Sequence, residues 1–274
     1  NCALFVNGVF ENYQTLDGST LFLGAFFFTI QIYGDFSGYS DIAIGCARLF
    51  GIDLMQNFKY PYFSRDIAEF WRRWHISLTT WFRDYIYIPL GGSRAGKWKS
   101  FRNTLVIFLV SGFWHGANWT FVAWGAYHAL LFLPLLLLGQ NRRYRDSVAE
   151  NSFLPSVKEL TQMGATFLLV LLGWILFRSE DISQAAVYLE RMFNVSLFSA
   201  PQLVGLGFGQ LLLKKCFFFT ALMFVVEWIG RKQAHGLMIE DLSLPVRYVI
   251  YTVLLIIIYG FDASNPQGFI YFQF

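Results

Sequence analysis

Residues 103–141 read NTLVIFLVSGFWHGANWTFVAWGAYHALLFLPLLLLGQN and contain no Asp, Glu, Lys or Arg. This run of 39 residues is too long for one ordinary membrane span, which needs about 20 mostly apolar residues. Gly112, Gly116 and Asn118 crowd together near its middle, and such residues favour a turn. The run therefore predicts two passes or a re-entrant segment, with a break within residues 112–118.

Basic residues flank this run on both sides. An even number of crossings would place both flanks on the cytoplasmic side, where Lys and Arg accumulate. Residues 65–102 hold eight basic side chains against three acidic ones. That cluster is typical either of the positive-inside bias or of a site for an anionic ligand. The flanking residues are Arg94, Lys97, Lys99 and Arg102 before the run and Arg142, Arg143 and Arg145 after it.

The composition of the whole chain agrees with a membrane protein. Hydrophobic residues make up 55% of its 274 residues and charged residues 14%, against roughly 25% charged in soluble domains. This excludes intrinsic disorder. Three scattered cysteines, Cys2, Cys46 and Cys216, exclude a small disulfide-stapled secreted domain. No nucleic-acid partner is expected, because the basic cluster lies among membrane-like segments.

Other uncharged runs extend the pattern. Residues 18–34, 160–177 and 192–213 predict further spans, and residues 216–226 and 248–261 predict helices that continue past Glu227 and Arg247. Residues 36–51 predict a separate small-residue helix that ends near Gly51. The sequence therefore predicts an all-α, polytopic transmembrane bundle with five to seven membrane-embedded helices, in one domain over residues 1–274.

Residues 64–88 predict one basic amphipathic helix at the membrane–water interface. Ser64 is the expected N-cap and Pro89 the expected stop. On a helical wheel, Trp71, Trp74 and Trp81 lie on one face. Arg72, Arg73 and Arg83 lie on the rest of the helix surface. These arginines are either headgroup anchors or contacts for ligand phosphates. Residues 182–194 predict a second interfacial helix.

Two histidines are candidates for chemistry. His115, in SGFWHGANW, lies about 20 Å of helix beyond Arg102, a depth at which ionisable groups face a cavity or a partner. His75, in EFWRRWHISLTTWFRDY, lies at the border of the aromatic and basic faces. Each could instead be structural, His115 as a hydrogen-bonded core residue and His75 at the headgroups. His128 is expected only to pack in an apolar helix.

Other sites of chemistry are not expected. The four histidines lack metal-ligand spacing, and there is no GxSxG elbow or Walker loop, so no metal is predicted. Asp35 and Asp41 lie beside an apolar run and need partners if they are buried. They either form ion pairs within the bundle or line a polar tunnel. Tyr39, Trp114 and Asn118 are further candidates for the tunnel lining.

Several segments closely resemble the membrane-bound O-acyltransferases, and most of all the bacterial branch that acetylates alginate. They are QIYGDFSGYSDIAIG, NFKYPYFSRDIAEFWRRWHISLTTWFRDYIYIPLGG, FWHGANWTFVAWGAYH and the terminal FIYFQF. The first three form a motif core over about residues 30–130. The resemblance implies a ring of tilted helices around a central tunnel, with re-entrant segments. It also implies that this chain is the C-terminal part of a longer acyltransferase.

The resemblance also assigns roles. His115 corresponds to the principal catalytic histidine, and His75 to the supporting one. A neutral His115 would be the general base towards a hydroxyl, and His75 would orient the acyl group or stabilise the oxyanion. Acetyl-CoA is the expected donor substrate, with no cofactor bound. Its phosphates would meet Arg72, Arg73 and Arg83.

The resemblance further implies a multi-pass protein of the bacterial plasma (inner) membrane, in contact with lipids. The acetyl group would cross the membrane, and an extracytoplasmic partner of the SGNH-hydrolase type would pass it to an exported polysaccharide. A cell-wall glycan, peptidoglycan or teichoic acid, is the alternative acceptor. A transporter in which deep His and Asp relay protons, or a non-catalytic scaffold, is the alternative from another class.

Overall fold

The computed structural model describes residues 2–94, 96–202 and 210–260. Within those ranges the chain is helical and has no strand, which agrees with the all-α prediction. Short 3-10 turns at Pro61–Phe63 and Val195–Phe198 and a π turn at Arg83–Tyr87 join some of the helices. The α-helices are α1 (Cys2–Glu11), α2 (Gly18–Leu49), α3 (Ile67–Arg73), α4 (Ile76–Phe82), α5 (Lys97–His115), α6 (Trp119–Leu137), α7 (Val157–Arg178), α8 (Ile182–Met192), α9 (Gln210–Gly230) and α10 (Leu244–Gly260).

The long uncharged run forms a helical hairpin of α5 and α6. The chain turns at residues 116–118, within the predicted break, so that prediction is confirmed. The Asn118 side chain caps α6 by accepting a hydrogen bond from Thr120 N at 3.1 Å. A Cβ on Gly112 would lie 2.2 Å from the carbonyl oxygen of Phe121. The two helices therefore touch backbone to backbone, and only glycine fits there.

The two predicted segments, residues 18–34 and 36–51, form one continuous helix, so the prediction of a separate second helix was wrong. The 32 residues of α2 contain no proline, and Asp35 does not interrupt the hydrogen-bonded backbone. The predicted end is confirmed: α2 stops at Leu49, and Gly51 follows with a φ of 72°. Glycine adopts this left-handed conformation without steric strain.

The predicted single helix over residues 64–88 is wrong. The segment breaks at Trp74 and His75 into α3 and α4 and then enters the π turn. Asp66, not Ser64, caps α3 by accepting from Glu69 N at 2.7 Å. Because of this break, the tryptophans of the predicted aromatic face do not share one environment: Trp74 is buried and Trp81 is half-exposed.

The predictions for the second half are confirmed in part. Helices α7, α8, α9 and α10 lie where apolar or amphipathic runs were predicted, and α9 and α10 include Glu227 and Arg247. The predicted span 192–213 is wrong, because α8 ends at Met192 and Asn194 caps the 3-10 turn that follows. Residues 203–209 and the FIYFQF motif lie outside the described residues.

Two described helices, α6 and α7, are long and apolar enough to cross a membrane. The helix ends fall into two groups. At the basic end, α2, α6 and α9 finish and α5, α7 and α10 begin, and Arg231 there donates to Val148 O at 3.0 Å. At the opposite end, Gly18 N donates to Ser196 Oγ at 2.9 Å, and Asn118 Nδ2 to Glu180 O at 2.7 Å.

The charges divide between these two ends. Every Lys and Arg except four belongs to the basic end, either in its loops (residues 50–96, 138–156 and 231–243) or in the helix turns beside them. The four exceptions belong to α7, α8 and α9, near the opposite end: Arg178, Arg191, Lys214 and Lys215.

Candidate active site

His115 is the last residue of α5 and lies among aromatic rings. Its imidazole centroid is 5.3 Å from that of Trp124 and 5.0 Å from that of Phe177, in edge-to-face geometry with both. The next residue, Gly116, permits this packing, because a Cβ there would lie 2.6 Å from the Phe121 ring. The sequence SGFWHGANW therefore ends a helix and fixes a histidine among aromatic neighbours at the same point.

His75 occupies the break between α3 and α4. Its backbone is left-handed, with φ 44° and ψ 56°, a conformation that costs a non-glycine residue roughly 1–2 kcal/mol. Its ring meets Phe36 edge-to-face at 4.6 Å and lies 6.3 Å from Trp114. The ring of Trp114 is also 4.9 Å from that of His115. One tryptophan thus contacts both candidate histidines.

Both histidines line one cavity of about 370 Å³. Thr104, Phe108, Ser111 and His115 line it from a single face of α5, which gives it a length of about 16 Å along that helix. His75 lines it from the break between α3 and α4. Its inner wall is aromatic and includes Trp71, Trp74, Trp124 and Trp174.

The mouth of this cavity is basic. The exposed residues Arg72, Arg83 and Arg142 line it at the basic end. Arg72 donates to the carbonyl oxygens of Asn141 and Tyr144 at 2.5 Å each, so its guanidinium is held at the mouth. Arg83 pairs with Asp84 at 2.7 Å in an exposed pair. Arg142 was not predicted as a site residue, although its place after the long run is visible in the sequence.

Arg73 does not line this cavity. Its guanidinium is buried and donates to Glu69 Oε1 at 2.5 Å, while Arg65 donates to the same oxygen at 2.9 Å. Arg65 also pairs with Asp146 at 3.0 Å in the loop after α6. Partial burial, the largest single effect, raises the pKa of Asp146. The hydrogen bond with Arg65, a backbone hydrogen bond and the charges of Arg65 and Arg73 together outweigh it and hold the pKa below its ordinary value. The spacing of Arg65, Glu69 and Arg73 at four-residue steps was the signal for this cluster.

The predicted tunnel residues are spread over the molecule. Trp114 contacts both histidines, whereas Asn118 is occupied in capping α6 and bonding Glu180 O. Asp41 lines a second cavity of about 680 Å³ between α2, α9 and the segment after α2. Asp35 and Tyr39 line neither of these two cavities. The structure therefore brings His75, His115, Arg72 and Arg83 together, and it separates Asp41 from them.

The second cavity contains an acidic residue that the sequence analysis passed over. Glu227 lines it with Tyr33 and Tyr60, and it accepts a hydrogen bond from the Tyr33 hydroxyl. Its signal was visible, since Glu227 is the single acidic residue of α9 and follows an uncharged run over residues 216–226. Among the described residues, no three His, Cys, Asp or Glu side chains come together as a metal site.

A comparison with protein families identifies the class to which the sequence that builds this site belongs. Residues 8–151, which include α2 to α6 and both histidines, match the family of membrane-bound O-acyltransferases. The chain belongs to that family, and the resemblance stated from the sequence is confirmed.

Individual relatives agree with the family. The chain is 43% identical over 196 residues to a probable alginate O-acetylase of Pseudomonas aeruginosa, covering 70% of this chain and 36% of the relative. It is 36% identical over 196 residues to a peptidoglycan O-acetyltransferase of Helicobacter pylori, covering 72% and 36%. It is 40% identical over 108 residues to a teichoic acid D-alanyltransferase of Streptococcus thermophilus, covering 36% and 26%. The chain thus spans about a third of the length of the first two relatives.

Proposed function

We propose that this chain carries the acyl-transfer site of an O-acyltransferase, with His115 and His75 as its catalytic residues. The observation that carries the proposal is their meeting in one cavity, from two distant segments of the chain. Family membership supports the same reaction class. The named relatives that support it are two O-acetyltransferases and a D-alanyltransferase.

The reaction needs a base and an oxyanion partner. In the proposed reaction, neutral His115 removes the proton from an acceptor hydroxyl, whose oxygen attacks the thioester carbonyl. His75 donates a hydrogen bond to the oxyanion that forms. The carbon–sulfur bond then breaks, and the proton passes from His115 to the leaving thiolate. The aromatic walls of the cavity keep water away from the thioester.

The donor would be acetyl-CoA, entering from the basic end. Arg72, Arg83 and Arg142 line the mouth, where charge-assisted hydrogen bonds would hold its phosphates. The cavity runs about 16 Å along α5 from Thr104 to His115, which gives an extended thioester arm room to reach the histidines. Arg73 has no part in this proposal, because Glu69 already occupies its guanidinium.

The same geometry supports a multi-pass protein in a bacterial inner membrane. Helices α2, α5, α6, α7 and α9 run between the basic end and the opposite end, and 19 residues of α6 span about 29 Å. Because Lys and Arg accumulate on the cytoplasmic side, the basic end would face the cytoplasm. Lipids would cover the exposed apolar helix faces, and the proposed tunnel would run through the bundle.

The final acceptor would be an exported polysaccharide of the alginate type. The support is the identity of 43–46% to probable alginate O-acetylases, against 36% to the peptidoglycan O-acetyltransferase. An extracytoplasmic partner of the SGNH type would receive the acetyl group and pass it on. Acylation of a cell-wall glycan is the alternative. The two possibilities are distinguished by the polymer on which the ester is found.

The test is made in cells that express the complete gene product. Ester-linked acetate is measured separately on exported polysaccharide and on peptidoglycan, for the wild type and for His115→Ala at equal membrane expression. We expect His115→Ala to abolish acetate on the exported polysaccharide, while the matched variant His235→Ala retains it. Loss confined to peptidoglycan would identify the cell-wall alternative. Unchanged acetate on both polymers would reject the catalytic role of His115 and favour a transporter or a scaffold.

A further inference from the structure

Helix α4 begins without a cap of its own. Its N-cap residue is His75, and the His75 side chain makes no capping hydrogen bond. The first backbone N–H groups of a helix have no partner within the helix and need one from elsewhere. At α4 these donors include Ile76 N and Ser77 N, which follow His75 directly.

Asn57, from the segment between α2 and α3, supplies the missing acceptors. Its backbone carbonyl accepts from Ile76 N at 2.9 Å. Its side-chain oxygen Oδ1 accepts from Ser77 N at 3.3 Å and from the Ser77 hydroxyl. Asn57 therefore takes the place of an N-cap residue, although it lies eighteen positions before His75 in the sequence. The imidazole of His75 is released from capping and lines the cavity instead.

Asn57 is itself anchored. Its amide Nδ2 donates to Ser40 Oγ at 3.2 Å, and Ser40 is buried on α2. On the other side of the break, Lys59 N donates to Arg73 O at 3.0 Å. The segment thus fastens the backbone both before and after His75. A strained backbone conformation persists only where its surroundings fix it in this way.

We infer that Asn57 is a positioning residue for the proposed acyl transfer. It holds the left-handed backbone of His75 through the start of α4 and so aims the imidazole into the cavity. Asn57 does not line that cavity and acts through His75 alone. The inference rests on the proposed function, because it assumes that His75 contributes to the reaction.

The test compares variants of Asn57 in membranes that contain the complete gene product. Transfer of radiolabelled acetyl from acetyl-CoA gives kcat and the KM for the donor. Asn57→Ala removes all three side-chain hydrogen bonds, the two from Ser77 and the one to Ser40. A small misplacement of a catalytic group is expected to lower kcat roughly tenfold or more at an unchanged KM. Asn57→Asp keeps the acceptor oxygen for Ser77 and should restore most of the rate. The matched control is Asn12→Ala, which should leave kcat unchanged, because the Asn12 amide donates to the nearby Gly8 O within its own helix region.

A double-mutant cycle separates positioning from general stability. If Asn57 acts through His75, then Asn57→Ala has no further effect on the residual rate of His75→Ala. Hydrogen–deuterium exchange across residues 70–82 should rise in Asn57→Ala and return towards wild type in Asn57→Asp. An unchanged kcat in Asn57→Ala, or the same fold-loss in both backgrounds, would overturn the positioning role. Full activity in His75→Ala would instead reject the proposed role of His75, and the inference about Asn57 with it.

Discussion

The imidazoles of His75 and His115 line one cavity, the first from a break between two helices and the second from the end of a helix. Neither side chain projects from the middle of a regular helix. Each position depends on a local exception to helical geometry, a left-handed residue at His75 and a glycine turn after His115. The placement of the site therefore depends on how these two interruptions are held.

The contact between α5 and α6 leads to the first prediction. Gly112→Ala would force a Cβ to within 2.2 Å of Phe121 O, so the hairpin must open. We expect a loss of roughly 1–3 kcal/mol in the free energy of unfolding, together with reduced acetyl transfer because His115 moves. Thermal unfolding in detergent measures the first effect.

The matched control for Gly112→Ala is Gly164→Ala on α7. A Cβ at Gly164 meets nothing within 4 Å, and alanine favours a helix over glycine by up to about 1 kcal/mol. Gly164→Ala should leave stability unchanged or raise it slightly. Equal melting temperatures for the two variants would contradict the close packing of α5 on α6.

The buried ion cluster leads to the second prediction. Glu69 accepts from both Arg65 and Arg73, and all three side chains are nearly inaccessible to solvent. Glu69→Ala removes the buried carboxylate partner of Arg73 and leaves the buried Arg65 with the more exposed Asp146 and Glu159. Loss of the partner of a buried charge is expected to cost roughly 3–5 kcal/mol. The expected result is loss of folded protein from the membrane, measured by detergent extraction and size-exclusion chromatography.

The control is Glu159→Ala, which removes a longer, more exposed contact with Arg65, at 3.5 Å, and should cause a much smaller loss of folded protein. A folded, active Glu69→Ala protein would show that the cluster does not hold α3.

The third prediction concerns pH. Because Arg65 holds the pKa of Asp146 below its ordinary value, this pair stabilises the protein at neutral pH. The stabilisation is complete above the unfolded-state pKa of about 3.9 and is lost as the pH falls through the lower folded-state pKa. The melting temperature of the wild type should therefore fall more steeply below about pH 4 than that of Asp146→Asn. Parallel curves would argue against the Arg65–Asp146 pair.

The fourth prediction concerns the basic mouth. Arg83 lines the cavity, and the ion pair that it forms among the described residues is with the exposed Asp84, so its substitution should not disturb the fold. Arg83→Gln should raise the KM for acetyl-CoA roughly three- to tenfold through the loss of a charge-assisted hydrogen bond, with kcat little changed. Asp84→Asn frees the guanidinium and should lower the KM or leave it unaltered. Arg145→Gln, outside the cavity lining, serves as the charge-matched control. The same KM for Arg83→Gln and Arg145→Gln would show that Arg83 does not bind acetyl-CoA.

Parts of the fold that depend on neighbouring residues were predictable. Gly112, Gly116 and Asn118 marked the turn between α5 and α6, and Gly51 marked the end of α2, because turn chemistry is local. The same local rules joined residues 64–88 into one helix, since nothing within that segment breaks it. The break at His75 is fixed by Asn57, which lies outside the segment. Sequence periodicity within a segment cannot predict a hydrogen bond to a residue outside that segment.

The candidate site was predictable to a similar degree. The motifs in the sequence single out His75 and His115, and the structure adds that they share a cavity. The three neighbouring arginines looked equivalent by spacing, yet Arg72 and Arg83 reach the cavity while Glu69 holds Arg73 in the core. The three arginines differ in burial, and their burial depends on the loop after α6, which comes from a distant part of the chain.

The most direct measurement is transfer of radiolabelled acetyl from acetyl-CoA by membranes that contain the complete gene product, with wild type and His115→Ala at equal expression. We expect the wild type to release free CoA and form a labelled ester. We expect His115→Ala to retain at most about one hundredth of that rate, since a positioned base contributes about 10²–10⁴-fold. Transfer at the wild-type rate by a folded His115→Ala protein would exclude His115 as the catalytic base.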